Sequence, residues 1–280
     1  MSMLNEPTTD MSSSITMLFP WYDTPPSYSK RVTPVSSILS LYTYQCQNHS
    51  SVNDIYPGCA NNQWTCGFWP GEIWLAYEAT GDEKFKTAAL IQVDSFADRI
   101  ARKVEVDHHD MGFLYSPTCV AAWKLVGSET GKNAAIAAAD QLLTRYQPSG
   151  RFLQAWGTMD DPGNYRYIID CMLNVPLLYW AAQVTGSDHY REIAAAHTAT
   201  TLANSFRPDG STYHTFFMNP DGTPRADAPV RAIRTTASGH GDRRGACTAA
   251  PLATPTPTTK SFWMCSARRW NFTFPACRRI

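Results

Sequence analysis

The hydrophobic and polar positions of the chain follow a helical period in three similar segments. They are "WLAYEATGDEKF" from Trp74, "AAWKLVGSETGKN" from Ala121 and "LYWAAQVTGSDHYREIA" from Leu178. In each segment an apolar helical stretch stops at a glycine, which can adopt the left-handed conformation that ends a helix. A Ser or Asp and acidic residues follow, as at the start of a new helix. The pattern therefore predicts three helix–turn–helix units.

The spacing of these units predicts an all-α fold class. The three glycines, Gly81, Gly127 and Gly186, are 46 and 59 residues apart. Helix–turn–helix units in tandem stack into an all-α solenoid or close into a toroid. Chance similarity between amphipathic helices is the simpler alternative.

Two aspartates and a tryptophan occupy matching places in this repeat. Asp110 lies 17 residues before Gly127, and Asp170 lies 16 residues before Gly186. Trp64 lies 17 residues before Gly81. Because matching positions of adjacent repeats lie on the same side of an array, we expect two carboxylates and an indole around one pocket, near the helix starts. Such a pocket suits acid–base chemistry.

Asp170 has a functional and a structural interpretation. It stands between Ile169 and Cys171, so we assign it to an apolar helix. A carboxylate there must be hydrogen-bonded, paired or protonated. Burial that raises its pKa would suit a general acid. The alternative is a structural aspartate bonded to backbone groups.

Asp110 follows His108 and His109 in "HHDMGFLYSP". It could cap a helix that begins near Ser116, or lie in a solvated turn. Histidine and aspartate are also metal-ligand types. Adjacent histidines point in different directions, however, and no second ligand cluster with helical spacing follows. We therefore expect no metal.

Three further stretches carry candidate residues. His197 lies in the Ala-rich "AAAHTATT", where a histidine is either packed in the core or part of a site. Trp156 in "GRFLQAWG" lies in a predicted loop or short strand, where an indole could stack on a sugar. Residues 207–222 predict a turn followed by a β-hairpin.

Composition excludes some classes of partner. Charged residues make up 17% of the chain and the net charge is zero, which argues against nucleic acid or a membrane surface as partner. No apolar run approaches the roughly 18 residues of a membrane span, and residues 1–18 do not resemble a signal peptide. The eight cysteines lack paired spacing and a CxxC motif, which predicts buried, reduced thiols and a cytoplasmic location. The oligomeric state is not predicted.

Five stretches between Ser50 and Pro224 together resemble a known family. They are "WTCGFWPGEIWLAYEATGD", "HHDMGFLYSP", "GRFLQAWG", "YRYIIDCMLNVPLLYWA" and "RPDGSTYHTFF". In this order they are similar to the unsaturated glucuronyl hydrolases of glycoside hydrolase family 88. The resemblance implies an (α/α)6 toroid of helical hairpins. It also implies a glycosidase that removes Δ4,5-unsaturated glucuronic acid from the non-reducing end of oligosaccharides made by polysaccharide lyases.

The resemblance also implies roles for single residues. Asp170 would protonate carbon 4 of the unsaturated ring and deliver water to carbon 5, and Asp110 would hold and tune the site. The residues expected around the ring are His109, His197, Trp64 and Trp156. No metal or organic cofactor is implied. Two alternatives remain, an unsaturated rhamnogalacturonyl hydrolase of family 105 and an inactive, truncated toroid that only binds.

The resemblance divides the chain into three parts. Residues 1–49 match weakly and are of uncertain structure, and residues 50–224 form a partial (α/α)6 domain. Residues 225–280 are rich in Pro and Thr where further hairpins should follow. We interpret them as a frameshifted tail that is not part of a native fold, with a disordered, low-complexity tail as the alternative.

The genetic code supports the frameshift hypothesis. Every set of codons that encodes Phe262-Trp263-Met264-Cys265 reads Leu-Asp-Val in a shifted frame. Before these four residues, one permitted choice of codons reads "ALSYAYTHNEEF" in the same shifted frame, which is a fourth copy of the repeat. The shifted frame also permits the W-x-R-G-Q-A-W motif of the family. We place the frameshift near residues 224–237. Because missing hairpins leave apolar helix faces uncovered, the chain as written is expected to fold poorly and to have little activity.

Overall fold

The structure, a computed structural model, describes residues 28–207 and 212–225, which are mostly helical. The α-helices are α1 Tyr28–Ile38, α2 Phe68–Thr80, α3 Glu83–Ala101, α4 Met111–Tyr115, α5 Ala121–Val126, α6 Glu129–Leu143, α7 Cys171–Asn174, α8 Pro176–Thr185 and α9 Asp188–Asn204. The short strands are β1 Cys46–Gln47, β2 Gly58–Cys59, β3 Tyr146–Gln147, β4 Phe152–Leu153, β5 Arg166–Ile168 and β6 Thr215–Phe217. The tail from residue 226, on which the frameshift hypothesis rests, lies outside the described residues, as do residues 1–27.

The described residues form two compact units. The first contains the residues up to Val106 together with Met111–Ala138. The second contains Asp107–Asp110 together with the residues from Ala139 onward. Among the helices described, none combines the length and the apolar character that crossing a membrane requires.

The three predicted helix–turn–helix units are confirmed. Gly81 ends α2 before α3, Gly127 ends α5 before α6, and Gly186 ends α8 before α9. Their φ angles are +68°, +67° and +74°. A Cβ at any of them would meet no atom within 4 Å, so the left-handed backbone, not crowding, favours glycine. Asp82 then caps α3 by accepting a hydrogen bond from the backbone N–H of Lys84.

The second unit of the repeat begins earlier than predicted. The helix after Asp110 starts at Met111, not near Ser116. Ser116–Val120 is instead a π-helical turn that joins α4 to α5. Pro117 within it has no backbone N–H to donate, and a wider turn accommodates this break in the helical hydrogen bonding.

Helix α2 packs tightly on this π-helical turn in the first compact unit. The buried Trp74 donates its indole N–H to the carbonyl oxygen of Thr118 at 3.0 Å. A Cβ on Gly71 would lie 2.8 Å from the Cβ of Pro117, so the close approach depends on glycine.

Short strands and a buried cluster organise the second compact unit. β3 pairs with β4, and β5 pairs with β6, each antiparallel. The core beneath them contains Phe152, Tyr167, Ile169, Cys171, Met172 and Met218. A β-hairpin was predicted within residues 207–222. This prediction is wrong for β6, because β6 pairs with β5, which lies far earlier in the chain. A local turn follows instead, closed by a bridge between Met218 and Pro224.

Candidate active site

Three ionisable side chains meet where two helices begin. Asp110 directly precedes α4, and Asp170 directly precedes α7. His109 lies between the two carboxylates. Its Nε2 is 3.2 Å from Oδ1 of Asp110 and 3.6 Å from Oδ1 of Asp170. The structure therefore brings together the two aspartates that the repeat spacing singled out.

Asp110 is held as a carboxylate by its neighbours. Burial by itself raises the pKa of Asp110, but the charge of His109, the contact with His108 and the amide of Asn174 outweigh it and hold that pKa below its ordinary value. Nδ1 of His108 lies 3.0 Å from Oδ2, and the Asn174 side chain donates to Oδ1 at 3.5 Å. The predicted solvated turn is wrong, because the Asp110 side chain is only 13% exposed.

Asp170 lies at the boundary between a strand and a helix. It is the N-cap residue of α7 and not a member of the helix, which corrects the sequence-based assignment. Its carboxylate makes no hydrogen bond that caps the helix. The side chain is 27% exposed, twice as much as that of Asp110. A carboxylate that is partly open to solvent can meet a substrate.

A buried arginine positions the segments on either side of the cluster. Arg145 is 1% exposed and donates to a carboxylate oxygen of Asp107 and to the carbonyl oxygen of Gly157, both at 2.8 Å. The backbone N–H of His109 donates to the carbonyl oxygen of Ala155 at 2.8 Å. These contacts tie the residues before Asp110 to the loop that carries Trp156.

Trp156 presents an indole beside the carboxylate cluster. It is 42% exposed, in a short connection after β4, as predicted. The guanidinium of Arg166 lies 4.5 Å from the centre of the indole, and the ring of His109 meets it edge-on at 6.5 Å. Stacking of a cation on the π-face fixes the plane of the indole.

His197 lies inside α9 with no exposed surface. Its Nδ1 accepts a hydrogen bond from the backbone N–H of Leu153 at 3.2 Å, so the proton of the neutral ring is on Nε2. That buried Nε2 has no hydrogen-bond partner among the described residues. Burial and the neighbouring His109 lower the pKa of His197 to about 3.

Trp64 lies in the first compact unit, before α2. It is 46% exposed and packs against Phe68 and Phe113, with ring centres 6.4 Å and 5.7 Å away. Its role at a substrate site stays a prediction.

The carboxylate cluster also has the composition of a metal site. His109, Asp110 and Asp170 each offer a ligand atom, and these atoms lie within 4.8 Å of one another. The expectation that no metal takes part stays a prediction, and a chelator can test it.

Several residues that shape the site were not predicted from the sequence. Asn174 lies four residues after Asp170, a helical spacing that could have identified it. His108 was noted only as a neighbour of Asp110. Arg166 and Arg145 gave no signal, because their partners are distant in sequence.

Comparisons with known proteins match the part of the chain that contains the carboxylate cluster. Residues 41–217 match the pattern of Glycosyl Hydrolase Family 88. The unsaturated chondroitin disaccharide hydrolase of Streptococcus pneumoniae is 45% identical over 172 residues, which are 61% of this chain and 43% of that protein. The unsaturated glucuronyl hydrolase of Bacillus sp. (strain GL1) is 45% identical over 162 residues, which are 58% of this chain and 43% of that protein. The chain thus spans less than half the length of these relatives.

A solved structure is similar over most of the chain. The crystal structure of the unsaturated glucuronyl hydrolase from Streptococcus agalactiae aligns with a TM-score of 0.75 and 32% identity, covering 96% of this chain and 68% of that one. The likeness confirms the predicted fold class, an all-α fold of helical hairpins that is an incomplete (α/α)6 toroid. Since the family pattern also matches more than half of the 280 residues, the chain belongs to glycosyl hydrolase family 88.

Proposed function

We propose that this chain derives from a hydrolase that removes Δ4,5-unsaturated glucuronic acid from the non-reducing end of lyase-generated oligosaccharides. The observation that carries the proposal is the cluster in which His109 lies between the carboxylates of Asp110 and Asp170. The names of the relatives point to unsaturated glucuronyl and chondroitin disaccharide substrates. No observation favours the alternative in family 105.

In the proposed reaction Asp170 acts as acid and then as base. It donates a proton to carbon 4 of the double bond, and the positive charge that develops at carbon 5 is shared with the ring oxygen. A water molecule adds to carbon 5 while the Asp170 carboxylate takes one of its protons. The hemiketal that forms then opens and releases the remaining sugar. One group can serve both steps because it ends each turnover protonated, as it began.

The environment of the two carboxyl groups supports this division of roles. Two carboxyl groups this close disfavour simultaneous ionisation. His109, His108 and Asn174 stabilise the negative charge of Asp110. Asp110 is therefore assigned the role of a fixed anion, and the proton transfer is assigned to Asp170, the more exposed of the two carboxyl groups. Asp110 then holds His109 and tunes the site without donating a proton.

The remaining predicted residues receive roles in binding. We assign Trp156 the stacking of the uronate ring, and the assignment of Trp64 as a second indole rests on the sequence pattern alone. His109 and His197 are assigned places around the ring, His109 through its contacts with the two carboxylates and His197 from a buried position beside His109.

Arg166→Met should weaken substrate binding by about two- to fivefold, because a cation–π contact at a partly exposed site contributes about 0.5–1 kcal/mol. Methionine keeps the volume of the side chain and removes its charge. Steady-state kinetics should show the change in KM with kcat little altered. Arg191→Met is the matched control, since Arg191 is partly exposed and forms an ion pair with Asp188 on the same helix. An equal KM in both variants would contradict the role of Arg166.

The proposed function is tested by incubation with an unsaturated chondroitin disaccharide. The conjugated double bond absorbs ultraviolet light, and hydration should remove this absorbance while one free amino sugar appears for each bond lost. The saturated disaccharide is the control. A parallel reaction with a chelator tests the metal alternative, since activity without a metal should continue unchanged. Release of the sugar with the absorbance retained would contradict the hydration step.

We also infer that residues 225–280 come from a shifted reading frame. The family match ends at residue 217, before this tail begins. Resequencing from codon 215 to the stop codon should reveal one missing or extra base. The chain with its frame restored should be active, and the chain as written much less so. An unaltered frame would contradict the inference.

A cytoplasmic location is inferred from the thiols. The five cysteines in the described residues are all free. Free thiols persist in a reducing compartment. Fractionation of the source cells would test the location.

A further inference from the structure

A buried glutamine binds the backbone of the loop that carries Trp156. Gln154 has no exposed surface, and its side-chain amide donates to the carbonyl oxygens of Trp156, Gly157 and Thr158 at 3.0, 3.1 and 3.1 Å. The two N–H groups of the amide are therefore shared among three acceptors. Gly157 has a left-handed φ of +81°, which lets successive carbonyl groups turn toward one nitrogen. The loop is thus folded around this side chain.

A second glutamine fixes the orientation of that amide. Gln147 is buried, and its Nε2 donates to Oε1 of Gln154 and to the carbonyl oxygen of Met159, both at 2.9 Å. If the Gln154 amide were turned over, its oxygen would face three carbonyl oxygens and its nitrogen would face another N–H donor. The hydrogen bonds of Gln154 are therefore satisfied in one orientation, and the two glutamines together bind the carbonyl groups of residues 156–159.

The backbone of Gln154 is also fixed. Its N–H donates to the carbonyl oxygen of Arg145 at 2.7 Å, and its carbonyl oxygen accepts from Nε of Arg145 at 3.3 Å. The carbonyl oxygen of the next residue, Ala155, accepts from the backbone N–H of His109 at 2.8 Å. From Trp156 onward the Gln154 side chain supplies the donors that the backbone acceptors need. The loop therefore leaves the cluster in a direction that Gln154 sets.

We propose that Gln154 is a positioning residue for substrate binding, which holds Trp156 in the orientation that stacks on the uronate ring. The inference rests on the proposed function, because that function assigns the stacking to Trp156. Gln154 acts through the backbone of the loop, whereas Arg166 contacts the π-face of the indole. An apolar side chain of the same length would leave the carbonyl oxygens of Trp156 and Thr158 without this donor.

The first test is Gln154→Met, which keeps the length of the side chain and removes its donors and its acceptor. KM for an unsaturated chondroitin disaccharide should rise by about two- to tenfold, the usual effect of losing a neutral hydrogen bond, with kcat little altered. The matched control is Gln183→Met, because Gln183 is exposed on α8 of the same compact unit. A KM that does not differ between these two variants would overturn the proposal.

A double-mutant cycle distinguishes the positioning of Trp156 from a general structural effect. In the background of Trp156→Ala, Gln154→Met should change KM by less than about twofold, because the side chain that it positions is absent. Additive effects of the two substitutions would show that Gln154 influences binding by another route, and the proposal would then be wrong.

A spectroscopic measurement tests the positioning without turnover. The full chain labelled with 5-fluorotryptophan contains nine indoles, and the fluorine-19 resonance that disappears in Trp156→Ala belongs to Trp156. In Gln154→Met this resonance should shift or broaden while the resonances of indoles in the first compact unit, such as Trp74, stay unchanged. If Gln154→Met does not fold, Gln147→Met provides the same test, because it removes the donor that fixes the Gln154 amide.

The two kinds of measurement separate this inference from the hydrolase assignment. An unchanged Trp156 resonance in a folded variant would overturn the positioning by Gln154, whatever the activity. A resonance that responds as expected in a chain without turnover would count against the proposed hydrolase and would support the positioning.

Discussion

Asp170→Asn should lower turnover of an unsaturated uronyl disaccharide by about 10²–10⁴-fold, the usual contribution of a general acid or base. The amide has nearly the same shape as the carboxyl group, but it can neither protonate carbon 4 nor take a proton from the attacking water. Substrate binding should persist, because the proposed stacking residues are unchanged. The measurements are kcat and KM in the chain with its downstream frame restored, together with thermal unfolding.

The matched control is Asp160→Asn. Asp160 is an exposed aspartate of the same compact unit, so the same change in charge there should leave turnover within about twofold of the unmodified protein. Normal turnover in Asp170→Asn would contradict the proposed mechanism, whereas sugar binding without turnover in both proteins would favour a protein that only binds. Loss of the folded state would support the structural interpretation of Asp170.

The helical hairpins could be predicted because their signals are local. A glycine that ends a helix needs only its own left-handed backbone, and the chain shows this at Gly81, Gly127 and Gly186. The start of the helix after Asp110 was placed too late. Pro117 is typical of the first turn of a helix, whereas here it lies in a π-helical turn within one, which a periodic pattern does not reveal.

Pairing between distant segments could not be predicted from the sequence. The strand Thr215–Phe217 has the alternation expected of a hairpin, but its partner is Arg166–Ile168. Strand partners are chosen by packing on a shared core, and here Phe152, Tyr167 and Met218 belong to that core. Alternation along one strand contains no information about this choice.

The candidate site was partly predictable because its two aspartates, like the helix ends, follow the repeat along the chain. Nearly equal spacing from the helix-ending glycines, 17 and 16 residues, identified Asp110 and Asp170, since a repeat carries equivalent residues to equivalent helix starts. The groups that set their ionisation are not repeated. Asn174 is 64 residues from Asp110 in sequence and His108 is two residues from it, and the contacts of both with the carboxylate, which lower its pKa, become visible in the structure.

His197 should make the protein sensitive to acid from about pH 6.5 downward, a range that begins above the one in which carboxyl groups titrate. Its pKa is about 3 in the folded chain, against about 6.5 in the unfolded chain. Between these values the unfolded state binds a proton that the folded state does not. The stability that His197 contributes is therefore present above pH 6.5 and is lost as the pH falls toward 3. The slope is about 1.4 kcal/mol for each pH unit.

The contacts around His197 explain why the folded state excludes the proton. The ring is fully buried, and His109 and Tyr167 are titratable groups beside it. Tyr167 meets the ring edge-on at 5.8 Å. A proton on Nδ1 would also face the backbone N–H of Leu153, which now donates to that atom. Protonation would thus place a cation in an apolar site and break a hydrogen bond.

Urea unfolding at pH 6 and pH 4 measures the effect. The unmodified chain should lose about 2–3 kcal/mol of unfolding free energy through His197 between these values. His197→Gln cannot be protonated and should lose correspondingly less, although it is less stable at pH 6. His189→Gln is the matched control, because His189 is exposed on the same helix and its replacement should leave the pH dependence unchanged. An equal loss in all three proteins would show that another group controls the acid response.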